Sequence, residues 1–203
     1  MSLTLYFLHF QATWRNGHSS EIEEGRIVTP RRKLFSGQKS ATLDLHSLML
    51  ERYVRDKVNK RCLLCDRLAV LQKNIDVNRV KLSSFATERE QEKYVNYVED
   101  TEKVTCLMYS LASRLAKTEN ILEVFGSDDS QTRKKRDRLK SQLEEAKYLN
   151  SLVSQRSKKV LRIIEKYLGE KTGADFKEDI DEKLRIIVEL KELDDKVYLS
   201  SWK

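Results

Sequence analysis

The sequence is poor in the residues that interrupt helices, with one proline and six glycines among 203 residues. Enzymes with mixed α/β folds need more turn residues and more apolar strand segments than this chain offers. Charged residues make up 35% of the chain, a composition typical of helical bundles and coiled coils. The sequence therefore predicts an all-α fold.

Cysteine and histidine are also scarce, with three of each. Cys62 and Cys65 form a C-L-L-C pair, but a zinc site would need a second Cys or His pair at short spacing. We therefore expect the pair to be two small core residues at the edge of a helical seam. The odd, unpatterned cysteine count favours a reducing, intracellular setting. No metal and no cofactor is expected.

Other kinds of functional segment are missing as well. No stretch reaches the roughly 20 apolar residues that cross a bilayer, so no transmembrane segment is predicted. A glycine-rich phosphate loop and a histidine-containing acid–base set are absent, which argues against an enzyme. The formal net charge of +7 comes from 39 basic and 32 acidic residues, largely interleaved on helix faces. Nucleic acid is therefore not an expected partner.

The dominant feature is a stretch at residues 88–125 that contains neither glycine nor proline. Two interleaved heptad series run through it, one at Tyr94, Thr101, Met108, Leu115 and Leu122, the other at Tyr97, Val104, Leu111, Thr118 and Phe125. Only the threonines among these positions are polar. This pattern predicts a helix about 55 Å long that packs lengthwise on other helices.

Three more helices are predicted, at about residues 43–85, 131–168 and 174–197. Thr42 or Asp44 can cap the first helix, and Thr87 with Glu90 forms a capping box for the second. Whether the first two helices are continuous is left open. Breaks are expected at residues 126–130 and 169–173, which are rich in glycine and polar residues. The short connection between the second and third helices predicts that these two fold back antiparallel. Composition and periodicity together indicate an elongated, all-helical interaction module. Pairing within one chain or between two chains stays open.

Residues 1–41 are predicted to be a disordered or non-native leader. Within them, Arg32, Leu34 and Phe35 resemble a cyclin-docking motif beside a Thr-Pro site, although a plain basic linker is the other interpretation.

Residues 107–120 read LMYSLASRLAKTEN. Further blocks follow in order: KRDRL at 135–139, QLEEA at 142–146, YL at 167–168 and IIVELKELDDK at 186–196. Together they resemble the C-terminal Apx/Shroom domain of Shroom proteins, whose hallmark is a leucine-rich run followed by S-L-S-x-R-L-A-x-x-E-N. The similarity covers about residues 45–200 and assigns residues 42–201 to such a domain. Ala112 stands where the family often has serine.

The resemblance implies a cytoskeletal adaptor in the cytoplasm. Family members bind the central coiled coil of Rho-associated kinase and recruit it to apical cell junctions and actin, where non-muscle myosin then contracts the cell surface. The domain in the family is an elongated, segmented, largely antiparallel coiled coil that pairs with itself. The resemblance therefore implies this all-α fold and a homodimer. Actin is expected to be an indirect partner, because the PDZ domain and the first Apx/Shroom region of longer members are not in this sequence. The alternative function is a purely structural, dimerising coiled coil without a kinase partner.

The expected kinase-docking residues lie in the same block: Ser110, Leu111, Arg114, Leu115, Ala116, Lys117, Glu119 and Asn120. Small side chains would let a second coiled coil approach closely, and Arg114 offers a fork for a carboxylate. Alternatively, these residues serve the domain's own packing. That interpretation is favoured for Leu111 and Leu115, and both interpretations stay open for Arg114 and Asn120.

Overall fold

The computed structural model describes residues 38–125 and 130–200, and within these ranges the chain forms four α-helices and no strands. They are α1 (Gln38–Ser83), α2 (Glu88–Phe125), α3 (Ser130–Leu168) and α4 (Glu170–Ser200). The predicted all-α class is therefore confirmed. Residues 1–37 of the predicted leader with its cyclin-type motif, residues 126–129 of the predicted loop at 126–130, and the last three residues lie outside the described residues.

The boundaries of α2 and α3 fall within one residue of their predicted positions. At the start of α2, the backbone N–H of Thr87 donates to Glu90 Oε2 at 3.0 Å, and the N–H of Glu90 donates to Thr87 Oγ1 at 3.4 Å. This is the reciprocal pattern of a capping box, which satisfies two N–H groups that a helix start leaves unpaired. Because residues 84–87 form a turn there, α1 and α2 are separate helices.

Two other boundaries differ from the prediction. Helix α1 begins at Gln38, five residues early, so neither Thr42 nor Asp44 caps it. Helix α4 begins at Glu170, because the break predicted over five residues is confined to Gly169. With φ at 91°, Gly169 adopts a conformation that other residues adopt only with strain, and one such residue suffices to end α3. Gly173 lies inside α4, where an added Cβ would come 2.8 Å from Glu165 Cγ.

Polar contacts between helices define the topology. Along α1 and α4, contacts join Lys60 to Glu189, Arg67 to Glu182, and Asn74 to Asp179. Along α2 and α3, they join Glu90 to Lys166, Asp100 to Arg156, and Glu119 to Lys140. In both sets one residue number rises as the other falls, so each pair is antiparallel. Helices α1 and α3 carry an excess of basic residues and α2 and α4 an excess of acidic ones, which favours these pairings.

The core consists of two apolar clusters along the bundle. One joins α2, α3 and α4, and consists of Met108, Tyr109, Leu111, Ala112, Leu115, Ala116, Leu139, Leu143, Ala146 and Val188. The other involves all four helices, and consists of Ile75, Leu82, Tyr94, Tyr97, Val153, Val160, Ile163, Ile164, Phe176, Ile180 and Leu184. The inner face of α2 thus supplies both clusters, as its heptad series predict.

The first half of α1 departs from its predicted seam. Val54 is exposed, and full burial along this helix begins only at Leu71. The prediction that Cys62 and Cys65 are core residues is wrong, because both side chains are exposed. In this region α1 contacts α4 through Lys60 and Arg61, which bridge to acidic residues at the rim and bury little.

A row of large aliphatic side chains also faces solvent on α1. It consists of Leu63, Val70, Val77 and Val80, which are 69%, 49%, 43% and 67% exposed. The first three follow heptad spacing. We call this row the α1 stripe. No helix in the described part of the chain is long and apolar enough to span a bilayer.

Candidate docking surface on helix α2

Helix α2 carries a second heptad pattern on its solvent face. Its two series are Leu107, Arg114 and Ile121, and Ser110, Lys117 and Val124, and all six residues are exposed. The aliphatic members are 43% exposed at Leu107, 48% at Ile121 and 51% at Val124. Spacings of three and four residues place the six on one strip of the helix. We call this strip the outer seam.

The structure divides the predicted docking residues between two faces of α2. Ser110, Arg114 and Lys117 lie on the outer seam. Leu111 and Leu115 are 5% and 4% exposed and belong to the core cluster that joins α2, α3 and α4. These two therefore follow the core interpretation within this chain.

The small residues of this block are used inside the chain as well. Ala112 and Ala116 are 1% and 9% exposed and lie in the same cluster as Ala146 and Val188 of the neighbouring helices. The close helix approach that small side chains permit is thus made to α3 and α4. Ala116 is accordingly a packing residue within this chain, and its contact with a second coiled coil stays a prediction.

The remaining predicted residues lie at the edges of α2. Glu119 forms an ion pair with Lys140 of α3 at 3.2 Å, and Asn120 is half-buried. Arg114 is exposed, and no ion pair holds it within residues 38–125 and 130–200. Its guanidinium group is therefore available for a carboxylate from outside the chain.

One carboxylate on α4 collects three donors from α2. Asp195 Oδ2 accepts hydrogen bonds from Tyr109 Oη and Ser113 Oγ, both at 2.9 Å, and Asp195 Oδ1 accepts one from Lys117 Nζ at 3.1 Å. Burial acts to raise the pKa of Asp195, but the hydrogen bonds from Lys117, Ser113 and Tyr109 outweigh it and lower this pKa below its usual value. This network links the outer seam to α4.

A buried lysine forms a second polar connection. The ammonium group of Lys183 on α4 donates to Gln72 of α1 at 2.7 Å and to Glu102 of α2 at 2.8 Å, while its side chain is only 6% exposed. It thereby fixes the relative register of three helices, since a buried charge needs both partners in place.

Sequence reasoning missed the outer seam, although a heptad count begun at Leu107 would have found it. The partners of Asp195 and Lys183 had no comparable signal, because they lie 78 to 111 residues away along the chain. Among the described residues, no three His, Cys, Asp or Glu side chains come together as a metal site would require.

Comparison with known proteins identifies the family of this chain. The sequence profile of the Apx/Shroom domain ASD2 matches residues 50–201, three quarters of the chain, and covers α2, α3, α4 and the part of α1 from residue 50 onward. The chain belongs to the Apx/Shroom domain family. The domain is 33% identical to human Shroom3 over 123 residues, which are 58% of this chain and 6% of that protein. It is 32% identical to mouse Shroom4 over 135 residues, or 64% of this chain and 9% of that protein.

An insect relative has a similar sequence identity to this chain. The Drosophila melanogaster protein Shroom is 31% identical over 113 residues, which are 56% of this chain and 7% of that protein. The domain thus spans less than a tenth of the length of each of these relatives.

Proposed function

We propose that this domain is the kinase-docking part of a Shroom-type cytoskeletal adaptor. It binds the coiled coil of Rho-associated kinase and recruits the kinase, and the resulting local actomyosin contraction changes cell shape. The domain acts as an interaction module and not as an enzyme. The observation that carries the proposal is the outer seam, an exposed heptad strip within the block that most resembles the family.

The outer seam has the composition of a coiled-coil docking surface. Leu107, Ile121 and Val124 supply apolar anchors, and Arg114 between them supplies a fork for a carboxylate. From Leu107 to Val124 the strip is about 26 Å long at 1.5 Å per residue, or nearly five helical turns. A partner helix with heptad-spaced apolar residues and an acidic residue opposite Arg114 would complement this strip.

The other predicted docking residues take supporting roles in this proposal. Leu111, Leu115 and Ala116 hold α2 against α3 and α4, so that the outer seam is presented on a rigid helix. Glu119 and Asn120 lie at its rim. Substitutions in the first group are expected to impair kinase binding only through loss of the fold.

Binding between the purified domain and a fluorescently labelled Rho-kinase coiled-coil fragment tests the proposal. Arg114→Glu is expected to abolish measurable binding while leaving the helical circular-dichroism signal unchanged, because Arg114 makes no ion pair in the described chain. The matched control is Arg162→Glu on α3, another exposed arginine. Equal affinity of both variants and the parent would exclude the outer seam, and no binding by the parent would exclude kinase docking.

The cellular part of the proposal follows from kinase recruitment. In epithelial cells we expect the domain, when fused to a junctional membrane protein, to concentrate Rho-kinase at the apical junctions and to narrow the apical surface. The Arg114→Glu fusion should do neither. Actin is expected to enter only through the contractile apparatus, so the isolated domain should not co-sediment with actin filaments.

A homodimer is also proposed, on a separate observation. The α1 stripe presents heptad-spaced aliphatic residues that nothing covers among the described residues, on a basic helix that would attract the acidic α2 or α4 of a second copy. Val70→Asp should then convert a dimer to a monomer in size-exclusion chromatography with light scattering. A dimer that survives this change would use another surface. A dimer without kinase binding would favour the purely structural alternative.

A further inference from the structure

A polar cluster that joins α2 to Asp195 of α4 lies beside the proposed docking surface. Lys117 is a member of the outer seam, yet its ammonium group lies 3.1 Å from Asp195 of α4. The lysine side chain is 46% exposed and the aspartate side chain 25% exposed. The same ammonium group can therefore be reached both by Asp195 and by a partner docked on the seam.

We propose that Asp195 is a positioning residue that controls the docking surface by competing with the partner for Lys117. The inference rests on the proposed function, since it concerns the same surface. A seam that holds Arg114 and Lys117 among its six residues will select a partner helix with carboxylates facing it. Asp195 withholds one of these two cations until a partner carboxylate displaces it.

The two oxygens of Asp195 have separate tasks, which makes the competition testable. Oδ2 accepts from Tyr109 and Ser113, both 4% exposed, and thereby holds α4 against α2. Oδ1 accepts only from Lys117 in the described part of the chain. An asparagine can place its amide oxygen at the Oδ2 position and keep both buried hydrogen bonds. Its NH₂ group would then face the ammonium group, which cannot accept a hydrogen bond, so Lys117 would be released.

Asp195→Asn is accordingly expected to free Lys117 without releasing α4. Affinity for the Rho-kinase coiled-coil fragment should rise about two- to fivefold at low salt, the range of one partly exposed ion pair. The gain should shrink at high salt because the new pair is at the surface. In a Lys117→Met background, Asp195→Asn should give no gain. A gain that persists in that background, or a loss of affinity in the single variant, would overturn the proposal.

A second measurement needs no kinase. The rate at which an amine-reactive ester acylates Lys117, followed by peptide mass spectrometry, should rise in Asp195→Asn relative to Lys103 in the same molecule. Lys103 is a suitable reference because it is exposed and pairs with Glu99 of its own helix at 2.8 Å. An unchanged Lys117 rate would overturn the competition model.

The two measurements also separate this inference from the proposed function. If acylation of Lys117 rises but neither the parent nor the variant binds the kinase fragment, kinase docking fails while the control of Lys117 by Asp195 stands. If the parent binds and acylation does not change, kinase docking stands and the competition fails. Asp195→Ala is the control for α4, since it also removes the acceptor for Tyr109 and Ser113 and should increase hydrogen exchange at the end of α4.

Discussion

Two leucines on different faces of α2, Leu107 and Leu115, directly test which face is core and which face binds the partner. Both lie on α2, but Leu107 is 43% exposed on the outer seam and Leu115 is 4% exposed in the core. The same change to alanine should therefore affect different properties. Leu115→Ala is expected to reduce stability, and Leu107→Ala is expected to reduce kinase binding.

The loss of stability expected for Leu115→Ala follows from the burial of this side chain. Almost all of the side chain is removed from water, so losing three carbon atoms costs about 2 to 3 kcal/mol in transfer free energy. The space left between α2, α3 and α4 adds a cavity cost, for a total of about 3 to 4 kcal/mol. With a urea m-value of about 2 to 3 kcal/mol/M for a chain of this size, the unfolding midpoint should fall by about 1 to 2 M.

The loss of stability caused by Leu107→Ala should be much smaller. A surface residue that makes few contacts in the folded chain typically changes stability by about 0.5 kcal/mol or less when truncated. Its removal should instead weaken kinase binding, by about tenfold if it is one of the main anchors. Urea unfolding followed by circular dichroism and the anisotropy assay measure the two effects. Equal destabilisation by both substitutions would show that the two faces of α2 are wrongly assigned.

Further predictions concern backbone geometry, acid stability and thiol exposure. Gly169→Ala should lower the free energy of unfolding by about 1 to 2 kcal/mol in thermal or urea unfolding. The reason is that φ is 91° there, a backbone conformation in which a residue with a Cβ atom is strained. Glu90, whose pKa is lowered to about 2 mainly by the backbone N–H of the capping box, favours folding above pH 4.5. That stabilisation should be lost as pH falls from 4.5 toward 2. The stability of Glu90→Gln, measured over the same pH range, should not show this loss. Maleimide should label Cys62 and Cys65 faster than Cys106, which is half-buried and has a pKa raised by burial. Faster labelling of Cys106 would contradict the exposure of Cys62 and Cys65 on α1.

The features that the sequence predicted well depend on local pattern. The two heptad series predicted for α2 form its inner seam. They need only heptad spacing, and seven of their ten members are buried in the described part of the chain. The capping box needs only Thr87 and Glu90 at the correct spacing. Both signals act within one helix, so no knowledge of the neighbouring helices was required.

The first half of α1 shows where local pattern is insufficient. Its heptad series continues through Val54 and Leu68 into the buried Ile75, yet only the last part is covered. Burial here depends on where α4 runs, and α4 reaches this part of α1 only near its own end, through rim contacts such as Arg61 with Asp194. A heptad pattern predicts that a face will be covered by some helix, but not by which one.

The outer seam shows the same limitation, because its heptad pattern does not identify which helix would cover it. Its positions at 107, 114 and 121 are those of the inner seam at 108, 115 and 122 moved by one residue, which rotates them about 100° around the helix. A partner on the outer seam would therefore lie beside the bundle and in contact with a neighbouring helix. The pairing of Lys117 with Asp195 identifies that neighbour as α4. A docked helix would thus meet α2 and the end of α4 together, which is why a carboxylate on α4 is in a position to regulate docking on α2.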